Sequence, residues 1–182
     1  HMPGRDYMGI DYRPDHSFRV PRADLSITIG TPNACNRCHI DKENKWSVDH
    51  ITKWYGTKYK PHYGAILDAG RKGLPEARTD LIRLSGDRLF PVIVRATALF
   101  LLGSYSGEEI AKAYERALSD EEPLMRETAV RNLHALPPQK RIRLVVPLLY
   151  DPVKAVRIEA ANKLTLLPPG QLTGNQAKRY ED

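Results

Sequence analysis

No run of apolar residues in this 182-residue chain approaches the roughly 18 that a membrane span needs. The nearest, residues 96–102 and 144–150, have the length of core helices, so a membrane-spanning chain is not expected. A concentrated charge is missing too. The net charge is +6 and the pI about 9.3, but the excess is spread evenly. Residues 1–63 hold 10 Lys/Arg against 7 Asp/Glu, and residues 64–182 hold 18 against 15. A scattered excess aids solubility and favours acidic partners weakly. Nucleic-acid binders gather their bases into a stripe, so no nucleic-acid partner is expected. Paired carboxylates, a nucleophile elbow and a glycine-rich phosphate loop are all lacking, which leaves hydrolytic catalysis without residues to perform it. There is no secretory signal, and there are two cysteines, Cys35 and Cys38.

What is present divides by texture. Residues 1–34 read as irregular and extended, punctuated by Pro3, Pro14, Pro21 and Pro32, with a short alternation at Leu25-Ser26-Ile27-Thr28-Ile29. Such a segment has to wrap over something larger, because ordering it costs about 1–2 kcal/mol per residue in backbone entropy. From Asp41 to Tyr55 the spacing predicts a helix. Val48, Ile51 and Tyr55 form one stripe, and Trp46, His50 and Trp54 an adjoining one. Gly56 supplies the stop. The two tryptophans, at helical spacing, are expected in the core.

Beyond residue 60 the chain repeats. Val94-Arg95-Ala96-Thr97-Ala98-Leu99 is answered by Met125-Arg126-Glu127-Thr128-Ala129-Val130 and by Val156-Arg157-Ile158-Glu159-Ala160-Ala161, each 31 residues on. Leu102, Leu133 and Leu164 keep the period, as do Leu118 and Leu149. Asp120, Pro123, Asp151 and Pro152 mark the turns. The alanines would let helices approach, and the arginines could pair with acidic groups of the adjoining repeat as structural rungs. This pattern, over about residues 64–167, resembles HEAT repeats of the short bacterial kind named after a bilin lyase family. No third cysteine is present to handle a bilin, so the lyase activity is not implied. Residues 168–182, a polar tail after a Pro-Pro-Gly break, read as the start of a truncated repeat. The expected fold is all-α: an N-terminal segment and one helix over residues 1–63, packed on a short helical solenoid.

The motif that carries chemistry is Cys35-Asn36-Arg37-Cys38-His39. A Cys-x-x-Cys-His run reads as c-type haem attachment: two thiols on one turn form thioethers to the porphyrin edge, and the histidine ligates the iron. Two other readings stay open. One is a zinc site of Cys35, Cys38, His39 and a further histidine, although zinc ligand pairs are usually better separated. The other is a redox dithiol or a chemically silent pair, without the strand-helix-strand context that redox dithiols favour.

Residues 32–39, Pro-Asn-Ala-Cys-Asn-Arg-Cys-His, with Asp41-Lys42 and Lys53-Trp54-Tyr55-Gly56, resemble a bacterial multihaem cytochrome c family that joins haem motifs to helical repeats. Arg5, Tyr7-Met8 and residues 15–21, Asp-His-Ser-Phe-Arg-Val-Pro, fit the same pattern. The resemblance implies electron transfer through haem c, with Cys35 and Cys38 as covalent anchors and His39 as proximal iron ligand. It makes His62 the first candidate for the distal ligand and His16 the second, with Met8 a distant third. His50 is expected to be part of a helix face. A periplasmic location is implied, with redox proteins or neighbouring haem domains of a parent chain as partners. His1-Met2 reads as a vector remnant, and His1-Met2-Pro3 also matches the tail of a preceding haem motif, so an excised fragment is expected. Haem attachment needs export and maturation, so protein made in a bacterial cytoplasm would lack it. The rival from another class is a repeat scaffold for a partner protein, with the Cys/His cluster empty or metal-filled.

Overall fold

The computed structural model describes residues 4–14, 20–133, 136, 138–165 and 174–175. The chain is mostly helical, with ten helices among the described residues, and is all-α in class. None of them is long and apolar enough to cross a membrane. The chain divides into two compact units between Ala65 and Ile66.

The first unit departs from the irregular segment the prolines suggest. Strands β1 (Gly4–Tyr7) and β2 (Asp11–Pro14) pair antiparallel, with Tyr7 opposite Asp11. Met8 and Gly9 turn the hairpin, both at positive φ (53° and 78°). The alternating run at 25–29 is helix α1 (Asp24–Ile29) rather than extended chain. Five residues of alternation are compatible with either form, and tertiary contacts decide. Leu25 and Ser26 are buried, and Gly30, left-handed at φ 72°, closes the turn with its N–H on the Leu25 carbonyl. Helix α2 (Ala34–Cys38) and helix α3 (Asn44–Tyr55) follow. Helix α3 begins at Asn44, not Asp41, because residues 39–42 are used otherwise. The Lys42 N–H reaches the His39 carbonyl, and the Lys42 carbonyl accepts from the Asn36 side chain at 2.6 Å. Gly56 ends α3 at φ 84°, its N–H on the Thr52 carbonyl.

Helix α4 (Tyr63–Arg71) spans the division between the units. The second unit is built of helical hairpins: α5 (Ala77–Gly86) with α6 (Val92–Leu101), α7 (Glu108–Ala117) with α8 (Pro123–Arg131), and α9 (Pro138–Val145) with α10 (Lys154–Leu164). A 3-10 turn at Val146–Tyr150 extends α9. Helix α6 packs on α8 and α8 on α10. The periodic alanines Ala98, Ala129 and Ala160 are fully buried there, as the close approach of neighbouring helices requires, and Leu102, Leu133 and Leu164 are buried beside them.

The 31-residue arginines form a ladder. Arg126 places Nε and Nη2 on the two carboxylate oxygens of Asp151, at 2.7 and 2.9 Å. Its Nη1 donates to the carbonyls of Asp120 and Glu121. One period on, Arg157 Nη1 makes the equivalent bonds to the carbonyls of Asp151 and Pro152. One period back, Arg95 pairs with Asp120 at 2.5 Å. Each aspartate also accepts the N–H two residues on, from Glu122 and Val153, an Asx turn that starts the next helix. One carboxylate thus fixes a turn and ties two repeats together. The tail at 168–182 lies outside the described residues apart from Gly174 and Asn175.

Candidate functional site

The cysteine motif occupies α2 and its C-terminal cap. Asn33 caps the helix: its Oδ1 accepts the Asn36 N–H at 3.0 Å. Its amide nitrogen donates to Ser26 Oγ and to Asn44 Oδ1, which ties α2 to α1 and to the start of α3. Asn36 completes the web, accepting from Ser47 Oγ at 2.7 Å while its own amide holds Lys42. These five polar side chains keep a five-residue helix in place that could not form alone. Cys35 and Cys38, at i and i+3, share a helix face. Both thiols are free; Cys35 is half-buried and Cys38 exposed. His39 caps the helix, exposed, with its N–H on the Cys35 carbonyl.

An aromatic row starts at His39. Its ring lies 4.6 Å from that of Trp46, which lies 4.3 Å from His50, which in turn meets Trp54 edge-on at 5.8 Å. The row is not the packed core expected of paired tryptophans: Trp54 is 64% exposed. Trp46 and His50 are half-buried, and the buried positions of α3 are Ser47 and Ile51. His50 Nδ1 lies 2.8 Å from the Trp46 carbonyl. A carbonyl only accepts, so Nδ1 is the donor here, and in the neutral ring Nε2 then keeps its lone pair. Nothing in the spacing of His50 separated this tautomer from a plain helix-face histidine.

His62 lies elsewhere in the unit. It lines a cavity of about 770 Å³ together with Ile51, Tyr55 and Tyr59. Its Nδ1 accepts the Gly64 N–H at 3.0 Å, capping the start of α4, and its ring stacks on Tyr63 at 4.2 Å. None of Cys35, Cys38 and His39 lines that cavity. The motif and the first distal candidate are therefore not brought to one cavity. His16, the second candidate, lies outside the described residues. Met8 projects from the hairpin tip, 97% exposed. Among the described residues, no three Cys, His, Asp or Glu side chains gather as a metal-holding group, so the zinc reading finds no assembled ligand set there.

The residues of α2 fit a covalently held haem on chemical grounds. Two unpaired thiols stand on one turn beside an exposed imidazole, and a row of mutually tilted aromatic rings extends from that imidazole. No protein-family model matches the chain, and comparison with curated proteins finds no similar sequence.

Proposed function

We propose that the protein transfers single electrons through a covalently attached c-type haem, as part of a larger multihaem protein of the periplasm. The observation that carries this reading is the pair of free thiols on one turn of α2, with His39 next to them and exposed. Cys35 and Cys38 would each add across one vinyl group of the porphyrin. The sulfur bonds one vinyl carbon and the thiol hydrogen passes to the other, so no oxidant is consumed. His39 would supply the proximal nitrogen. Once bound, the haem iron provides the one-electron couple, whose potential its axial ligands and surroundings set. The protein's own contribution is positional. Asn33 and Asn36 hold the thiol-bearing turn, and Trp46, packed on the His39 ring, limits its rotation. His62 and His16 remain the candidates for the distal nitrogen. Using His62 means breaking its bond to the Gly64 N–H, since a neutral ring that accepts at Nδ1 carries its proton on Nε2.

The test is production in the periplasm with cytochrome c maturation factors, followed by acid-acetone extraction. The expected result is a Soret band that stays with the polypeptide and is lost in the C35A/C38A double variant. Two thiols that still take up alkylating reagent in protein matured this way would overturn the reading.

A further inference from the structure

We infer that the cavity of the N-terminal unit is a binding site for an apolar carboxylate, separate from the thiol pair. The cavity, at about 770 Å³, falls within the range of small-molecule sites. Buried Ile51 and half-buried Tyr59 give it apolar and aromatic walls, with Pro21 and the largely exposed Val20 and Tyr55 beside them, while among the described residues every charged one lining it is basic: Arg22, Lys58 and Lys60, with His62 beside them. The four are not equivalent. Arg22 is framework. Its Nε and Nη2 are taken by Asp24 at 2.8 and 2.7 Å, its Nη1 by the Lys60 carbonyl, and its plane lies over the Tyr59 ring. Its charge is balanced, and its role is to hold the 58–60 segment against α1. Lys58 and Lys60 have no ion pair among the described residues.

Two ammonium groups without an ion pair, lining a largely apolar cavity, create a positive potential that low-dielectric walls concentrate. A small inorganic anion would leave the walls unused, and a neutral apolar molecule would leave the lysines unused. An apolar body bearing a carboxylate satisfies both. Two sources share that chemistry: a tetrapyrrole dicarboxylate held without covalent bonds, and a fatty acid.

The experiment uses the full chain with C35A/C38A, which cannot attach haem covalently, so this site and the proposed function stand or fall separately. Metal-free protoporphyrin IX and dodecanoate are titrated in by calorimetry. The expected result is saturable binding of one equivalent of at least one probe, weakened tenfold or more by K58E/K60E and by raised salt. The probe that binds identifies the source. A matched charge reversal away from the cavity, K45E/K53E, should leave affinity within about twofold. The proposal is overturned if neither probe saturates, or if K45E/K53E weakens binding as much as K58E/K60E.

Discussion

Arg126→Met tests the ladder at its best-connected rung. The Arg126 side chain is 12% exposed and that of Asp151 only 4%, and four hydrogen bonds leave the guanidinium. Met fills the apolar stem's space but strips the buried carboxylate of its charge partner, leaving it the Val153 N–H alone. Breaking a buried pair from one side typically costs about 3–5 kcal/mol. Asp151→Asn should cost less, about 1.5–3 kcal/mol, because Asn can still accept from Val153 and from one guanidinium nitrogen. The pH dependence gives an independent check. The hydrogen bonds from Arg126 hold the Asp151 carboxyl below its ordinary value, against burial, which pushes it up. A depressed carboxylate stabilises the fold above its unfolded value of about 3.9 and loses that contribution as pH falls through the folded value. In R126M only the Val153 N–H and the Arg157 charge still oppose burial, so the Asp151 carboxyl lies higher than in the parent and the variant's deficit should shrink between pH 7 and pH 4. Urea unfolding followed by far-UV circular dichroism measures both, since the repeat helices lie in the second unit and both tryptophans precede it. A loss below about 1 kcal/mol at pH 7, or a deficit that does not change with pH, would refute the pairing argument.

The ladder was legible because its signal is a distance along the chain. Arg95, Arg126 and Arg157 recur every 31 residues, and a stack of identical hairpins turns a period in sequence into a row in space. The N-terminal unit offers no period. The Met8-Gly9 turn carries one glycine as its cue, and Leu25 to Ile29 is too short for its alternation to decide between strand and helix; Gly30 and the burial of Ser26 decide it. At the site, the Cys-x-x-Cys-His spacing is chemistry written locally, so Cys35, Cys38 and His39 could be named at once. The cap at Asn33 could also have been read, from an asparagine placed directly before Ala34 and three residues ahead of Asn36. The use of Asn36 and Ser47 as its braces could not, since those partners are 11 residues apart and meet only once α3 has packed. The cavity was hidden for the same reason: its walls come from residues 20–22, 51–56 and 58–62, and no one of these segments is unusual alone.

Gly56→Ala should destabilise the first unit by about 1–3 kcal/mol, read by tryptophan fluorescence in urea. No atom lies within 4 Å of the added Cβ, so the loss would come from the φ of 84° and not from a clash. Tyr114→Phe removes a buried hydroxyl that donates to the Leu99 carbonyl at 3.1 Å and should cost about 1 kcal/mol. Burial pushes that phenol well above its ordinary range, so in an alkaline absorbance titration the variant should lack the tyrosine that ionises only on unfolding. Asn33→Ala should act on the thiols. It deletes the cap, worth about 1 kcal/mol, and with it both bonds that hold α2 against Ser26 and Asn44, so the half-buried Cys35 should react faster with a disulfide reagent while the exposed Cys38 changes little. Asn33→Asp keeps an oxygen for the Asn36 N–H but no longer donates to Asn44, so its Cys35 rate should fall between parent and alanine variant. If Asn33→Ala lowers stability yet leaves the Cys35 rate at the parental value, the cap does not position the motif.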